Sequence, residues 1–422
     1  MRLPPQHDNT QFAANIPRYF VYKALRGLSF GLITAMWVIF LQRQHGLSLT
    51  QVTLVDVAFW IAATLGEVPT GIVADTAGRK TSLAVGTALM GVSMLAWAFA
   101  PTVALIVAAY VLLAVGATFL SGAEDAFFYE SLQVIGRRDE YTRLVGRVSA
   151  TTLGAIALGN LASGLLATIS LRLPFLIAGL SLLLMLAIVL TFKEPRRKEL
   201  QAAEQRGGQL RPSYTEILKQ SLTLMRARPT LRYAMFYLAL MPMTAVMMET
   251  VFLQPQALAL GVPLAGVGLV TMVVQLTNMA GSTWSHWLRA RVGEGRILYS
   301  APGLIIASLI LLAALQSVPA LLFVAVIGFV TAVLRPLILN RIQHEVPDTI
   351  RATILSMQAL LFTLFVAICE PIVGLVADQA GLPAAYFGLA GGLSILTLFL
   401  FWESRHHFPG AVVSTLNADS LD

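Results

Sequence analysis

Two stretches of the sequence share one frame: GEVPTGIVADTAGRK at residues 66–80 and CEPIVGLVADQAGLP at residues 369–383. Each contains a glutamate, a glycine four residues later, the triplet Val-Ala-Asp and a further glycine at a turn. The small residues at matching positions are Gly71, Ala74, Gly374 and Ala377. Such residues favour close packing of two helices within a membrane. The copies differ after the second glycine, because only the first continues into the basic pair Arg79 and Lys80.

The composition around these stretches is typical of a membrane protein. Of 422 residues, 57% are hydrophobic and only 12% are charged, and the mean hydropathy is +0.74. An average soluble chain carries about 25% charged residues. Many apolar runs reach about 20 residues, which is enough to cross a hydrocarbon core as a helix. Because irregular backbone cannot face lipid, we expect an all-α integral membrane protein.

The apolar runs predict twelve transmembrane helices, numbered here as spans 1 to 12. The predicted spans cover residues 19–41, 51–74, 82–100, 103–128, 144–169, 173–192, 233–253, 263–287, 297–315, 319–340, 352–376 and 383–402. They divide six and six around one long polar connector. The predicted organisation is a tail (1–18), a six-helix half (19–192), a central loop with a short amphipathic helix (193–232), a second six-helix half (233–402) and a tail (403–422).

The basic residues are distributed unevenly between the connectors. The odd-numbered connectors contain only Arg43 and Arg172, whereas ten basic residues lie from Lys193 to Arg232 alone. By the positive-inside rule, the even-numbered connectors and both termini are cytoplasmic. The net charge of +7 then reflects topology and contact with anionic lipid, not a nucleic-acid partner. We expect a monomer in the cell membrane, either the plasma membrane or a bacterial inner membrane.

The sequence offers little support for an enzyme. AGRKTS, residues 77–82, is similar to the end of a phosphate-binding loop, but the glycine that begins such a loop is missing. The zinc motif HExxH does not occur. Cys369 is the single cysteine, which excludes a disulfide framework or a cysteine-based metal site. We therefore expect neither catalysis nor a cofactor or metal.

The stretch GIVADTAGRKTSL, residues 71–83, resembles the signature of the loop between spans 2 and 3 in transporters of the major facilitator superfamily. The matching positions are Gly71, Ala74, Asp75, Gly78, Arg79, Lys80 and Leu83. Thr76 replaces the first arginine of the family pattern, which removes one ion-pair partner. The resemblance implies a fold of two six-helix halves. It also implies that Gly71, Asp75, Gly78, Arg79 and Lys80 belong to a cytoplasmic gate that fastens span 2 to span 11.

Ionisable side chains inside a membrane are costly, so each one is a functional candidate. The resemblance implies that spans 1, 4, 7 and 10 line a central cavity, and all four carry such residues: Lys23 and Arg26, Glu124 and Asp125, Glu249, and Arg335. Helical spacing adds aromatic neighbours to Arg26 and Asp125. The predicted substrate cavity contains Tyr22, Arg26, Phe30, Asp125, Tyr129, Glu249, Gln275 and Arg335.

We expect Asp125, or failing that Glu124, to be the proton-binding acid and to lie near Arg26. Neighbouring residues on a helix point about 100° apart, so the two acids do not face the same environment. Protonation would release the acid from Arg26 and couple proton movement to alternating access. The alternative is a static ion pair between helices. Glu67 and Glu370 are further candidates for proton binding, or else acids that serve packing.

These features favour a secondary transporter that rocks two halves and exports a small amphipathic compound in exchange for protons. The alternative is a proton symporter that imports a small polar or anionic metabolite, with Arg26 and Arg335 as ligands. A third hypothesis is a non-transporting protein, such as a lipid scramblase or a sensor. The intact set of Asp75, Arg79 and Lys80 argues against it, because a static scaffold needs no gate.

Overall fold

A computed structural model gives the fold, and the structure describes residues 10–194 and 214–407. These two segments contain helices and no strand. The outer parts of both predicted tails and residues 195–213 of the predicted central loop lie outside the described residues.

The α-helices of the described segments are numbered in chain order. Those before the central loop are α1 (Thr10–Ala13), α2 (Asn15–Thr34), α3 (Trp37–His45), α4 (Leu49–Ala77), α5 (Arg79–Phe99), α6 (Val103–Leu120), α7 (Ala123–Val134), α8 (Tyr141–Ile169) and α9 (Leu173–Thr191). The others are α10 (Tyr214–Ala227), α11 (Pro229–Met247), α12 (Leu253–Ala259), α13 (Leu264–Val292), α14 (Glu294–Ala314), α15 (Leu322–Glu345), α16 (Asp348–Ala380) and α17 (Leu382–His407). Short 3-10 helices cover Arg138–Glu140 and Val318–Leu321, and a π-helix covers Met248–Phe252.

The predicted set of membrane-crossing helices is confirmed. Within the described segments, 11 helices are long and apolar enough to cross a membrane, or 12 when the bent pair α2 and α3 counts as one span. The bounds agree closely with the sequence prediction. Span 2, predicted at 51–74, is α4, and span 11, predicted at 352–376, lies within α16.

Three spans are interrupted, which the sequence analysis did not foresee. Span 1 bends by 44° between α2 and α3. Span 4 breaks between α6 and α7 at Gly122, whose φ of +68° suits glycine alone. Span 7 contains the π-helix Met248–Phe252 between α11 and α12. Spans 1 and 7 hold the same position in the two predicted halves, and interruptions at corresponding positions are typical of transporter binding sites.

The chain forms two compact units. The first contains Met1–Phe40 and Ala58–Leu210, and the second contains Leu41–Val57 and Arg211–Asp422. This division differs from a simple split at the central loop, because the end of span 1 and the start of span 2 pack with the second unit. The contacts of α4 with α16, described below, account for that difference.

In the first unit, α2 packs against α8 and α9, and α5 packs against α6 and α9. The approach of α2 to α8 depends on glycine, because a Cβ atom at Gly31 would collide with the carbonyl oxygen of Ile156. Ser163 of α8 adds a hydrogen bond of 2.7 Å to the carbonyl oxygen of Leu32. Asn15, at the start of α2, donates a 3.1 Å hydrogen bond to Ser131 of α7. These contacts fix α2 against both α8 and α7.

The second unit repeats part of this arrangement. Its helix α11 packs against α16, and α14 packs against α15 and α17. The predicted helix of the central loop is α10, which packs on α16. Leu222 of α10 is 40% exposed. A cavity of about 510 Å³ lies at this contact and is lined by Lys219, Gln220, Thr223, Leu224, Ala227, Pro347 and Ile350.

Candidate functional site

Glu124 is the centre of a buried polar cluster in the first unit. Its Oε1 accepts a 2.6 Å hydrogen bond from the Tyr22 hydroxyl, and its Oε2 accepts a 2.7 Å hydrogen bond from Lys23 Nζ. Arg26 also donates to Oε2 and forms an ion pair with it. The Glu124 side chain is only 6% exposed, whereas that of Arg26 is 31% exposed. One acid therefore faces two cations and a phenol, all from a single stretch of α2.

The break in span 4 explains how Glu124 reaches this position. Because α7 begins at Ala123, Glu124 and Asp125 occupy its first turn. Amide groups in the first turn of a helix have no partner within the helix, and the helix dipole stabilises a carboxylate there. A continuous span 4 would place Glu124 in mid-helix without this stabilisation. The Ser-Gly pair at 121–122 thus sets the electrostatic environment of the acid.

Aromatic rings enclose the cluster on several sides. Tyr19 of α2 stacks on Phe128 with a centroid distance of 4.4 Å, and Phe127 stacks on Phe192 at 4.6 Å. Tyr22 contacts the Phe192 ring at 5.9 Å. All five of these side chains are at most 2% exposed. Because these rings shield Glu124 from water, its attraction to the cations is stronger than at a protein surface.

Of the two acids of span 4, the structure places Glu124 and not Asp125 beside Arg26. Asp125 was expected to lie beside Arg26, but it is exposed and makes none of the cluster's hydrogen bonds. Glu124, the second choice, is the partner of Arg26. The helical angle between the two residues explains why only one can face α2. The restart of the helix at Ala123 decides which one does so.

The aromatic residues predicted for the cavity in the first unit do not lie together. Tyr22 belongs to the cluster, but Phe30 is 48% exposed and lies outside it. Tyr129 packs edge-on against Tyr141 with a centroid distance of 5.2 Å. The Arg138 guanidinium lies 5.4 Å from the centre of the Tyr129 ring. Tyr129 therefore takes part in a separate contact near the end of α7.

In the second unit, Glu249 lies in the π-helix of span 7 and pairs with an amide. Asn278 of α13 donates a 2.7 Å hydrogen bond from Nδ2 to Glu249 Oε2. A π-helix of this kind is frequent at functional sites. Arg335 is exposed, and no ion pair joins it to Glu249 in the described segments. Gln275, half-buried on α13, is one turn from Asn278.

The gate motif forms a local ion-pair network. Arg79 pairs with Asp75 at 2.8 Å, four residues earlier, and lies 3.7 Å from Glu130 of α7. The turn between α4 and α5 is made by Gly78, whose φ is +99°. Gly71 is half-buried and would accept a Cβ atom without a contact.

An acid that the sequence analysis missed completes the network. Glu194, just after α9, accepts hydrogen bonds of 2.7 Å from the backbone N–H groups of Arg79 and Lys80. The Lys80 ammonium in turn donates to the Leu190 carbonyl oxygen at 2.8 Å. Glu194 therefore caps the N-terminus of α5 from 114 residues away in the sequence. Its place as the first acid after span 6 was the only sequence signal.

The remaining two acids differ in environment. Glu67 of α4 is exposed, whereas Glu370 of α16 is fully buried. In residues 10–194 and 214–407, no three His, Cys, Asp or Glu side chains are grouped closely enough to hold a metal ion.

Apolar spans with interrupted helices and a buried acid held by cations are typical of membrane transporters. The family comparison makes this specific. The sequence profile described as Major Facilitator Superfamily matches residues 20–368, and the chain belongs to that family.

One relative is an uncharacterized MFS-type transporter, YxaM, of Bacillus subtilis (strain 168). It is 26% identical over 210 residues, which is 49% of this chain and 50% of the relative. The aligned region thus spans about half the length of that relative.

Solved structures are similar over most of their length. The crystal structure of nucleoside transporter NupG has a TM-score of 0.74 at 13% identity, and the alignment covers 92% of this chain and 99% of that one. A D-xylose-proton symporter has a TM-score of 0.69 at 16% identity, with 91% and 96% covered. A bacterial homolog to the human lysosomal transporter Spinster has a TM-score of 0.72 at 14% identity, with 93% and 97% covered. At these identities the likeness concerns the fold.

Proposed function

We propose that the chain is a proton-coupled secondary transporter and that Glu124 is its proton-binding acid. The observation that carries the proposal is a carboxylate 6% exposed, on span 4, bound to Lys23 and Arg26 of span 1. Buried ionisable groups within a membrane are expensive and mark ion or substrate pathways. A similar structure is that of a proton symporter, which supports proton use within this fold.

The chemistry follows from the charge of the cluster. With Glu124 ionised, the acid holds Lys23 and Arg26, and the three groups carry a net charge of about +1 by ordinary side-chain protonation. With Glu124 protonated, the cations lose their counter-charge and are free to move or to bind another group. Protonation of Glu124 thus replaces one set of contacts between α2 and α7 with another. Such an exchange is the element that alternating access requires.

The first candidate for the transported compound is a small amphipathic molecule exported in exchange for protons. The aromatic enclosure around the cluster supports it, since amphipathic ligands bind in mostly apolar sites with few polar groups. The second candidate is proton symport of a small anionic or polar metabolite. It is supported by the excess of cations over acid and by the 31% exposure of Arg26, which leaves that guanidinium accessible to an anion.

The organisation of the chain in the membrane belongs to the same proposal. The six-helix halves 19–192 and 233–402, the cytoplasmic termini and central loop, a cell-membrane location and a monomeric state all remain proposals. Protease protection of tags at both termini in sealed inside-out vesicles tests the orientation. Cleavage of both tags is expected, and protection of either one contradicts it.

The test of function uses purified protein in liposomes that contain a pH-sensitive dye. Cationic, neutral and anionic compounds are added as a panel. Proton movement opposite to the compound indicates antiport, and movement in the same direction indicates symport. Glu124→Gln should abolish compound-dependent proton movement, whereas Asp125→Asn, its matched control at the neighbouring exposed acid, should retain it. Retained coupling in Glu124→Gln would refute the assignment.

A further inference from the structure

Two acids that are distant in sequence from the Glu124 cluster are buried together in the second unit. Glu370 of α16 is 0% exposed, and Asp56 of α4 is 3% exposed. The two carboxyl groups are within hydrogen-bonding reach of each other. Asp56, near the start of predicted span 2, was not among the candidates of the sequence analysis.

The charged and titratable groups around the pair provide no positive partner for Glu370. The charged group that acts on it is Asp56 on α4, and its own neighbour Cys369 is titratable but carries no positive charge. Of the helices packed against α16, α17 has no charged residue from Leu382 to Trp402. On span 7, Glu249 faces Asn278 instead, and Arg232 of α11 lies near the start of that helix and donates to the carbonyl oxygen of Arg226.

Helix α10 meets the opposite end of α16, since its Lys219 and Leu224 lie beside Ile350. Its basic residues are therefore remote from Glu370, which is twenty residues further along α16.

Two facing carboxyl groups in a dry environment cannot both be ionised, because like charges at this distance repel strongly. Two carboxylates also cannot hydrogen-bond, since each is only an acceptor. No hydrogen-bond donor of the described residues satisfies either oxygen of Glu370. A single proton between Asp56 and Glu370 resolves both problems, because the protonated group donates to the other.

The same two helices are joined a second time, nearer the start of α4. Asp378 of α16 accepts hydrogen bonds from the backbone N–H groups of Leu49 at 2.9 Å and Thr50 at 2.8 Å. The Thr50 hydroxyl adds a third at 2.6 Å. Asp378 therefore caps the N-terminus of α4. It lies eight residues from Glu370, as Asp75 lies from Glu67 in the first copy of the repeat.

Between the Asp56–Glu370 contact and the Asp378 cap, α4 and α16 lie close together. A Cβ atom at Gly374 would lie 2.9 Å from Thr53 Oγ1 and 3.1 Å from the Leu49 carbonyl oxygen. The contact therefore leaves no room for a larger residue or for water. A charge that appears on both acids cannot be screened by solvent and has to be relieved by separation of α4 from α16.

We propose that Asp56 and Glu370 form a proton-binding site, and that the bound proton holds the first turns of α4 against α16. Loss of the proton leaves two carboxylates in contact, which separates the helices and removes the Asp378 cap. The ligand is a proton, and it acts as a latch between the start of α4 and α16. A role of this latch in transport rests on the proposed proton coupling, whereas proton binding itself can be measured without transport.

The first experiment measures the infrared absorption of protonated carboxyl groups in purified protein at neutral pH. The wild type should show a protonated carboxyl that the double variant Asp56→Asn/Glu370→Gln lacks, and each single substitution should shift or remove the same band. Glu67→Gln, the matched substitution at the exposed acid of α4, should leave it unchanged. Glu124→Gln should also leave it unchanged, so failure of the transport proposal is distinguishable from failure of this one. If the difference spectrum between the wild type and the double variant contains no protonated-carboxyl band, the site is overturned.

The second experiment measures hydrogen exchange in residues 49–56, corrected for the intrinsic rate at each pH. In the wild type, protection should fall by up to about ten-fold per pH unit once the proton is lost, which is the linkage for one proton. In the double variant Asp56→Asn/Glu370→Gln, whose side-chain amides carry no charge, protection should not depend on pH. If the double variant does not fold, Asp56→Asn alone serves. Protection independent of pH in the wild type, or an equal decline in the variant, overturns the latch.

Discussion

Replacement of Glu124 by glutamine tests the buried cluster as a stabilising element, independently of transport. Glutamine keeps the shape of the side chain, and its carbonyl oxygen still accepts from the Tyr22 hydroxyl. It removes the negative charge that faces Lys23 and Arg26, whose side chains are 16% and 31% exposed. The variant therefore leaves two partly buried cations without a counter-charge.

The expected cost follows from the burial of the groups. Removal of one member of a buried ion pair typically costs about 3–5 kcal/mol. Because about a third of the Arg26 side chain reaches solvent, the lower end applies, and we expect about 3 kcal/mol of lost unfolding free energy. That value corresponds to roughly a 150-fold change in the folding equilibrium. Asp125→Asn, at an exposed position, should change the free energy by less than about 0.5 kcal/mol.

The assay is equilibrium unfolding in mixed detergent and lipid micelles, followed by tryptophan fluorescence. A second variant, Glu124→Gln/Lys23→Gln, restores the original net charge of the cluster. It should recover about 1–2 kcal/mol relative to Glu124→Gln, since interaction energies of neighbouring charged residues are of this size. The reasoning is refuted if Glu124→Gln is as stable as the wild type, or if the losses of the two substitutions simply add.

Three further predictions concern contacts elsewhere in the units. Gly31→Leu should destabilise the first unit by at least about 1–3 kcal/mol through overpacking. The control Gly154→Leu, at a position where a Cβ atom meets nothing within 4 Å, should cost less than about 1 kcal/mol, the range usual for surface positions. Equal thermal stability of the two variants would contradict this prediction. Glu194→Ala should cost about 1 kcal/mol of stability, the value of a helix N-cap, and should accelerate hydrogen exchange at the start of α5. Unchanged exchange there would disprove the cap. Asn278→Leu should cost about 1–3 kcal/mol by leaving Glu249 without its donor, and the added substitution Glu249→Leu should restore part of that loss in the same unfolding assay.

The transmembrane helices could be predicted from the sequence because lipid imposes one solution on an apolar run of that length. The bounds of α4 and α16 illustrate this. The break at Gly122 could not be predicted with the same ease, since one glycine in an apolar run is tolerated within a helix. Its effect decided the site, because the new helix start turned Glu124, and not Asp125, towards α2.

Contacts between distant parts of the sequence were the least predictable. Glu194 lies in a polar connector where acids are common, and nothing local indicates that it caps α5. Asp56 and Glu370 lie on different spans, and their pairing depends on the register of α4 against α16. The repeat of Glu67 and Asp75 in Glu370 and Asp378 indicated a shared packing solution. The structure shows that the second copy of this spacing places Asp378 on the start of α4.

The position of Cys369 has a practical consequence for spectroscopy. It is the single thiol of the chain, it is half-buried, and it precedes Glu370 on α16. A fluorophore or spin label can therefore be attached in the native sequence, without a cysteine-free background. The label would sit one residue from the carboxyl pair, where its emission or mobility records the movement of α16 in unmodified lipid bilayers.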